Sequence, residues 1–309
     1  MKQPSHGPTV KSTFLEGGRV LMVALNRPKE LNTMTDQMQA DLERVLDWAE
    51  EEPSVWAIVV TGTLAPASTK AFCAGQDLKE WLAKKEHDQR RRLLDTPNGF
   101  GSISRRLSRK PLIAAVDGLC LGGGLELVLN CDLVIATQHS TFGFPEVSKG
   151  VFVAQGGIPR LLLLCGRTLA SELLFLGRPV DAQTARDKFR IVNEVVPTTE
   201  ALLPAVLRMA QQIIANSPAA VQLTKLAMVD TLRRGHRGFL DDAALGTLRE
   251  EELGDGIELA TAAAVLRDEF DEWARGPDMR EGLRAFAEKR KPRWSDPVKI
   301  TEKKKASKL

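Results

Sequence analysis

The run Gly118-Leu119-Cys120-Leu121-Gly122-Gly123-Gly124-Leu125-Glu126 follows an expected strand and opens a helix. A helix start offers unpaired N–H groups and the positive end of the helix dipole, both suited to an anion or a developing oxyanion. Three consecutive glycines let a ligand approach that backbone. Glu126 follows Gly123 by three residues, so its side chain projects from nearly the same helical face as the Gly123 N–H. A carboxylate would then stand beside an oxyanion donor. A second carboxylate lies in Phe142-Gly143-Phe144-Pro145-Glu146. Its neighbours are aromatic and proline residues, and the next charge is Lys149, a setting that raises a carboxyl pKa. Two glutamates in unlike surroundings suit paired acid–base work. Each feature also has a plain structural reading, as a tight crossing, a glutamate favoured by the dipole, and a Pro-Glu turn.

Other chemistries find less support. The glycines make no G-x-G-x-x-G dinucleotide fingerprint. No G-x-S-x-G is present, and His139 and His236 stand at no hydrolase-like spacing, so both histidines read as structural. Cys73, Cys120, Cys131 and Cys165 form no CxxC pair and no Cys/His cluster, which argues against a zinc site or a disulfide framework.

These residues need a scaffold, and its pattern is α/β. Thr13–Glu16, Gly17-Gly18 and Arg19–Leu25 read as a hairpin. Met38, Leu42, Val45, Leu46 and Ala49 recur at helical spacing, which predicts an amphipathic helix over 35–51. Short strands are expected at Trp56–Thr61, Leu112–Val116, Leu133–Ala136 and Ile191–Val196, with a charged helix at Lys79–Leu94 and a helix at Gly122–Asn130. After Val196 the pattern is helical, over Glu200–Ala215, Ser217–Arg234 and Ile257–Ala274, with Ser217-Pro218 as N-cap and first helical residue. We therefore expect a catalytic core over 1–215 and a helical C-terminal region over 216–309.

With 309 residues, 43% hydrophobic and 27% charged, the chain can bury a core unaided and has the composition of a folded, soluble protein. The apolar stretch Pro111–Thr137 is broken by Asp117, Glu126, Asp132 and the glycines, so it does not read as a membrane span. Met1–Ser12 has no apolar h-region, which argues against secretion. A net charge of +3 is too balanced to imply a nucleic-acid partner, although Lys289–Lys308 is basic. Ser307-Lys308-Leu309 has the form of a peroxisomal address read by an import receptor, which predicts a peroxisomal location.

Several blocks occur together in a familiar order: Asn26-Arg27-Pro28 with Leu31-Asn32, Ala71-Phe72-Cys73-Ala74-Gly75-Gln76-Asp77-Leu78, Gly122–Glu126 and Phe142–Glu146. With Glu281–Pro292 near the end, they resemble the enoyl-CoA hydratase/isomerase (crotonase) family over residues 14–294. The resemblance implies a core of repeated ββα turns and a helical C-terminal region that assembles trimers, often paired into hexamers. It implies an oxyanion hole for the thioester carbonyl, made by the backbone N–H groups of Gln76 and Gly123. Each such donor contributes about 3 to 4 kcal/mol to a transition state.

The resemblance also implies that Glu126 and Glu146, twenty residues apart, hold a water between them. Glu126 would be the water-activating base and Glu146 the acid, acting on a 2-enoyl-CoA without metal or redox cofactor. Running backwards, the pair would dehydrate a 3-hydroxyacyl-CoA, a branched mevalonyl-type group among the candidates. Coenzyme A would be substrate carrier, met by Lys29, Ala74, Asp77, Leu78 and Lys79, and by Phe286 and Lys289 near the C-terminus. A Δ3,Δ2-enoyl-CoA isomerase would need Glu146 alone, and a non-catalytic acyl-CoA- or RNA-binding member would need neither glutamate. One departure concerns Val153-Ala154, where many hydratases carry proline-glycine, in a segment expected to orient Glu146 and shape the acyl pocket. Another is the charged stretch Arg233–Gly256, expected to form an added loop or interface.

Overall fold

The computed structural model describes residues 4–64, 71–83, 96–240 and 276–297. The described residues form two compact units, one of 4–107 with Pro111–Ile214, the other of Ser108–Lys110 with the residues beyond Ile214. Residues 84–94 of the predicted charged helix, the segment Ile257–Ala274 and the terminal Ser307-Lys308-Leu309 lie outside the described residues.

A six-stranded sheet runs through the first unit in the order β1 (Val10–Leu15), β2 (Val20–Leu25), β3 (Ala57–Thr61), β5 (Leu112–Val116), β7 (Leu133–Thr137) and β10 (Glu194–Val196). Only the β1–β2 hairpin is antiparallel. Strands β3 and β5 are buried at every residue, as a parallel sheet covered on both faces requires. Alternate side chains go to opposite cores. Val59, Ile113 and Ala115 pack with Leu202, Ala205 and Val206 of a helix at Thr199–Ile214, while Ile58, Val60, Leu112 and Ala114 join the larger core that backs the site.

The helix α1 (Asp36–Glu51) follows its apolar spacing, and Thr35 caps it by accepting from the Met38 N–H. It lies in the larger core with α3 (Gly123–Val128). Between them in sequence is α2 (Leu78–Leu82), capped by Asp77. A second sheet, β4 (Ala71–Cys73), β6 (Leu119–Leu121), β8 (Thr141–Gly143) and β9 (Val180–Asp181), has no counterpart in the sequence expectations. Its strands are two or three residues long, too short for period-two patterning to register. The helices α4 (Gly157–Leu176) and α5 (Ala182–Asp187) were likewise not expected. The strand expected at Ile191–Val196 shrinks to Glu194–Val196 because Arg190 takes a positive φ and Ile191 N–H bonds to Ala185, turning the chain before the ladder.

In the second unit, Ser217 caps α7 (Pro218–Leu240; the Thr199–Ile214 helix is α6) by accepting from Ala220 N–H, and donates to Asp278 in α8 (Pro277–Ala287). Of the stretch Arg233–Gly256, expected to form an added loop or interface, residues 233–240 continue that helix and the rest lie outside the described residues.

Candidate functional site

A cleft of about 210 Å³ opens in the first unit. Gly122, Gly123 and Glu126 from the start of α3 line it, with Ala74, Gly75 and Gln76 after β4 and Glu146 after β8. Leu78, Trp81, Phe100, Val151 and Phe152 supply apolar wall. The chain therefore brings both sequence-predicted glutamates and both predicted main-chain donors to one place.

The position of each donor follows from local geometry. Gly123 is the first residue of α3, so its N–H has no partner within the helix. Gln76 pairs with Met34 in an isolated parallel bridge, where Met34 N donates to Gly75 O at 2.8 Å and Asp77 N donates to Met34 O at 3.0 Å. Those bonds use the groups flanking Gln76, so its own N–H points away from Met34. Gly75 sits at φ +95°, and a Cβ there would stand 3.7 Å from Gly123 N. The two loops thus meet edge to edge. Gln76 Nε2 donates to Met34 O at 2.7 Å, which folds the side chain back along the wall.

Glu126 is 3% exposed, and its Oε1 accepts from Gln155 N at 2.6 Å and Gly157 N at 3.0 Å. Gly157 is the first residue of α4, so the carboxylate faces a helix N-terminus. Burial pushes its pKa up to about 7, against the pull of those two N–H groups and of Arg160 and Arg105. The segment 150–157, expected to orient Glu146, bonds to the Glu146 main chain through Val151 N–H at 3.2 Å and also holds the Glu126 carboxylate. The reason is Gly156 at φ +105°, which aims the N–H groups on either side of it back toward the carboxylate.

Glu146 follows Pro145 at a short 3-10 turn, and its Oε1 lies against Gly122, where a Cβ would stand 2.8 Å away. Gly122 has φ +56°, so both conformation and space reserve that position for glycine. Its Oε2 is buried with no donor among the described residues. Burial pushes the Glu146 pKa up to about 7, and the charge of Glu126 adds to the rise. The nearer carboxylate has donors and two arginines; the other has a bare oxygen. The donors and arginines favour the charge on Glu126, and the bare oxygen favours the proton on Glu146.

The remaining predicted contacts divide. Ala74 and Leu78 line the cleft, while Asp77, Lys29 and Lys79 stand outside its lining. Asp77 is spent on structure: it pairs with Arg27 at 3.1 Å and caps α2 through Glu80 N. Lys29 and Lys79 are exposed. Phe286, 87% exposed, and Lys289 lie at the end of α8 and just beyond it, in the second unit. His139 pairs with buried Asp117 at 2.7 Å. Sequence reasoning missed Gln155, Gly157, Arg160 and Phe100; the one available signal was Gly156-Gly157 ahead of an apolar run. Among the described residues no group of three His, Cys, Asp or Glu side chains is placed to hold a metal, and no helix is long and apolar enough to cross a membrane.

Comparison with known proteins agrees with this geometry. The profile of the enoyl-CoA hydratase/isomerase family matches residues 16–241. A mevalonyl-coenzyme A hydratase of Beauveria bassiana is 37% identical over 305 residues, 96% of this chain and 98% of the relative. A short-chain-enoyl-CoA hydratase of Clostridium acetobutylicum is 32% identical, covering 89% of this chain and 93% of the relative. The crystal structure of enoyl-CoA hydratase from Bacillus anthracis superposes with a TM-score of 0.78 at 28% identity, covering 94% of this chain and all of that one. A two-sheet α/β core of this topology, with both glutamates in one cleft, together with these likenesses, makes the chain a member of the enoyl-CoA hydratase/isomerase family with the crotonase-like fold.

Proposed function

We propose that the chain is an enoyl-CoA hydratase. It would add water across a 2-enoyl-CoA to give a 3-hydroxyacyl-CoA, or run that reaction in reverse. The observation that carries this is the pair of carboxyls, Glu126 buried and held by N–H groups and Glu146 half-buried with Oε2 bare, in a cleft also lined by Gln76 and Gly123. The thioester oxygen would accept from Gln76 N–H and Gly123 N–H. Ionised Glu126 takes a proton from water as the water oxygen bonds to the β-carbon, and the π electrons move onto the thioester oxygen. Protonated Glu146 then delivers its proton to the α-carbon as the carbonyl re-forms. Two hydrogens and one oxygen are gained, and the carboxyls have exchanged states, reset by one proton transfer.

The mevalonyl-coenzyme A hydratases of Beauveria bassiana and Aspergillus fumigatus, 37% and 34% identical, support a short branched acyl group. Loss of the conjugated-thioester absorbance across short, long and branched enoyl-CoA substrates tests both levels. Turnover of some thioester is expected, fastest on the branched one; a flat trace on all of them would sink the reading.

A pH dependence follows. Below about pH 7 Glu126 takes up a proton and the base is lost; above it Glu146 ionises and the acid is lost. The profile of kcat/KM is expected to be bell-shaped about neutrality, and a plateau from pH 7 to 9 would contradict the assigned roles.

Assembly and location extend the proposal. Leu162, Leu163 and Leu164 of α4 are exposed large apolar side chains, as is Phe175 at 73% exposure, which supports a trimer or a hexamer of paired trimers. Sedimentation at micromolar concentration should give three or six chain masses; a monomer would refute this. Ser307-Lys308-Leu309 supports peroxisomal import. A reporter fused at the N-terminus should be punctate in cells and become diffuse when Leu309 is deleted.

A further inference from the structure

The reacting groups are held by a second set of residues, and one of these joins two walls of the cleft. Ser104 is fully buried. Its hydroxyl accepts from Phe100 N–H at 2.8 Å and donates to Gln155 O at 2.9 Å. On the first side is the turn Gly99-Phe100-Gly101, whose two glycines take φ +68° and +62°. Gln39 of α1 clamps it at both ends, Nε2 donating to Gly99 O at 2.9 Å and Oε1 accepting from Gly101 N at 2.8 Å. The turn presses the Phe100 ring on Gly123, where a Cβ would stand 2.5 Å from it. On the second side is Gln155, whose N–H donates to Glu126 at 2.6 Å.

We propose that Ser104 is a positioning residue for the hydration step, its hydroxyl fixing the Gln155–Gly156 peptide, which stands between the two peptides that carry the Gln155 N–H and the Gly157 N–H, so that both stay aimed at the Glu126 carboxylate. The inference rests on the hydratase reading above. Hydroxyl groups in protein interiors find partners because an unpaired one is costly, and here both partners are main-chain groups of separate segments. The surrounding chain is held independently of it. Asn130 Nδ2 donates to Ile103 O and Arg106 O, and Arg106 bonds to Ser102 and Asp47. Removing the hydroxyl therefore frees the Gln155 C=O and the Phe100 N–H, while Gln39 still clamps the Phe100 turn and the rest of the segment stays fastened.

The charged groups facing Glu126 are Arg160 from α4, Arg105 beside Ser104, and Glu146. Arg105 is fastened to Thr96 O, and Arg160 Nη1 to Gly156 O. A change in the hold of Gln155 on Glu126 consequently reads out as a change in where the base titrates. A residue that only filled space would leave that titration alone.

The test uses the full chain. Ser104→Ala is expected to lower kcat about ten- to a hundredfold with KM within twofold, as small misplacements of a reacting group do. The acid limb of its pH profile should move up by about half a unit to one unit, because the charged form of Glu126 has lost part of a hydrogen bond. Combined with Glu126→Gln, it should subtract nothing further. An acid limb left at the wild-type position, or an equal loss in the Glu126→Gln background, overturns the positioning role and leaves the hydratase reading intact. A wild-type chain that hydrates no enoyl-CoA overturns both. Should Ser104→Ala prove insoluble, Ser104→Cys, of similar size and weaker in hydrogen bonding, is read by the same limb.

Discussion

Glu146→Gln is expected to abolish nearly all hydration, lowering kcat by about 10³- to 10⁴-fold with little change in the affinity for an acyl-CoA product. The amide keeps the shape of the acid and removes the proton that must reach the α-carbon. Competitive displacement of a bound acyl-CoA by the variant would separate lost chemistry from lost binding. Glu126→Gln should fall by a similar factor, and the double variant by little more, since two groups acting on one water fail together. The same pair distinguishes the isomerase reading, because double-bond migration by a single carboxyl at Glu146 would survive Glu126→Gln at full rate. A non-catalytic binding member would show wild-type acyl-CoA affinity in every variant and no turnover to lose. Retention of more than about a tenth of hydration by Glu146→Gln is the result that would break the assignment.

The second large effect comes from a methyl group. On an exposed helix Gly→Ala stabilises by up to about 1 kcal/mol. Gly124, however, sits with its α-hydrogen toward Cys73: an added Cβ would collide with the Cys73 carbonyl oxygen and lie 2.9 Å from the Cys73 Cβ. The obstacle is strand backbone, which cannot rotate away, so overpacking of about 1 to 3 kcal/mol outweighs the gain in propensity. Relief can come only by moving α3 from β4, which parts Gly123 N from the Gly75-Gln76 loop. Gly124→Ala is therefore expected to melt several degrees lower and to lose about 10²- to 10³-fold in kcat. Melting curves together with kinetics on the folded fraction test this, and a variant as stable and fast as wild type would show that the two loops are not registered by this contact.

Much of this was legible before any coordinates. Buried strands such as Leu112–Val116 and the amphipathic helix at 36–51 declare themselves by composition and period. The glutamates were legible because Gly122–Glu126 combines a helix start with a carboxylate, and because Glu146 sits in apolar company. What stayed hidden was set by tertiary contacts. Strands of two or three residues carry no period, so the second sheet was missed. The partners of Glu126 are main-chain N–H groups at Gln155 and Gly157, and a backbone donor leaves no mark in residue type. Asp77 shows the converse, a residue inside a matching block whose carboxylate turns to Arg27 and away from the cleft lining.

The contrast between Gln76 and the glutamates has an evolutionary consequence. The two N–H groups proposed to hold the thioester belong to peptide bonds, so no codon change can delete either one, short of proline. Each carboxyl is one nucleotide from being lost. A lineage drifting on this scaffold will therefore shed or trade its proton chemistry long before it loses its hold on acyl-CoA, and descendants with new reactions should keep the grip and differ in the acids.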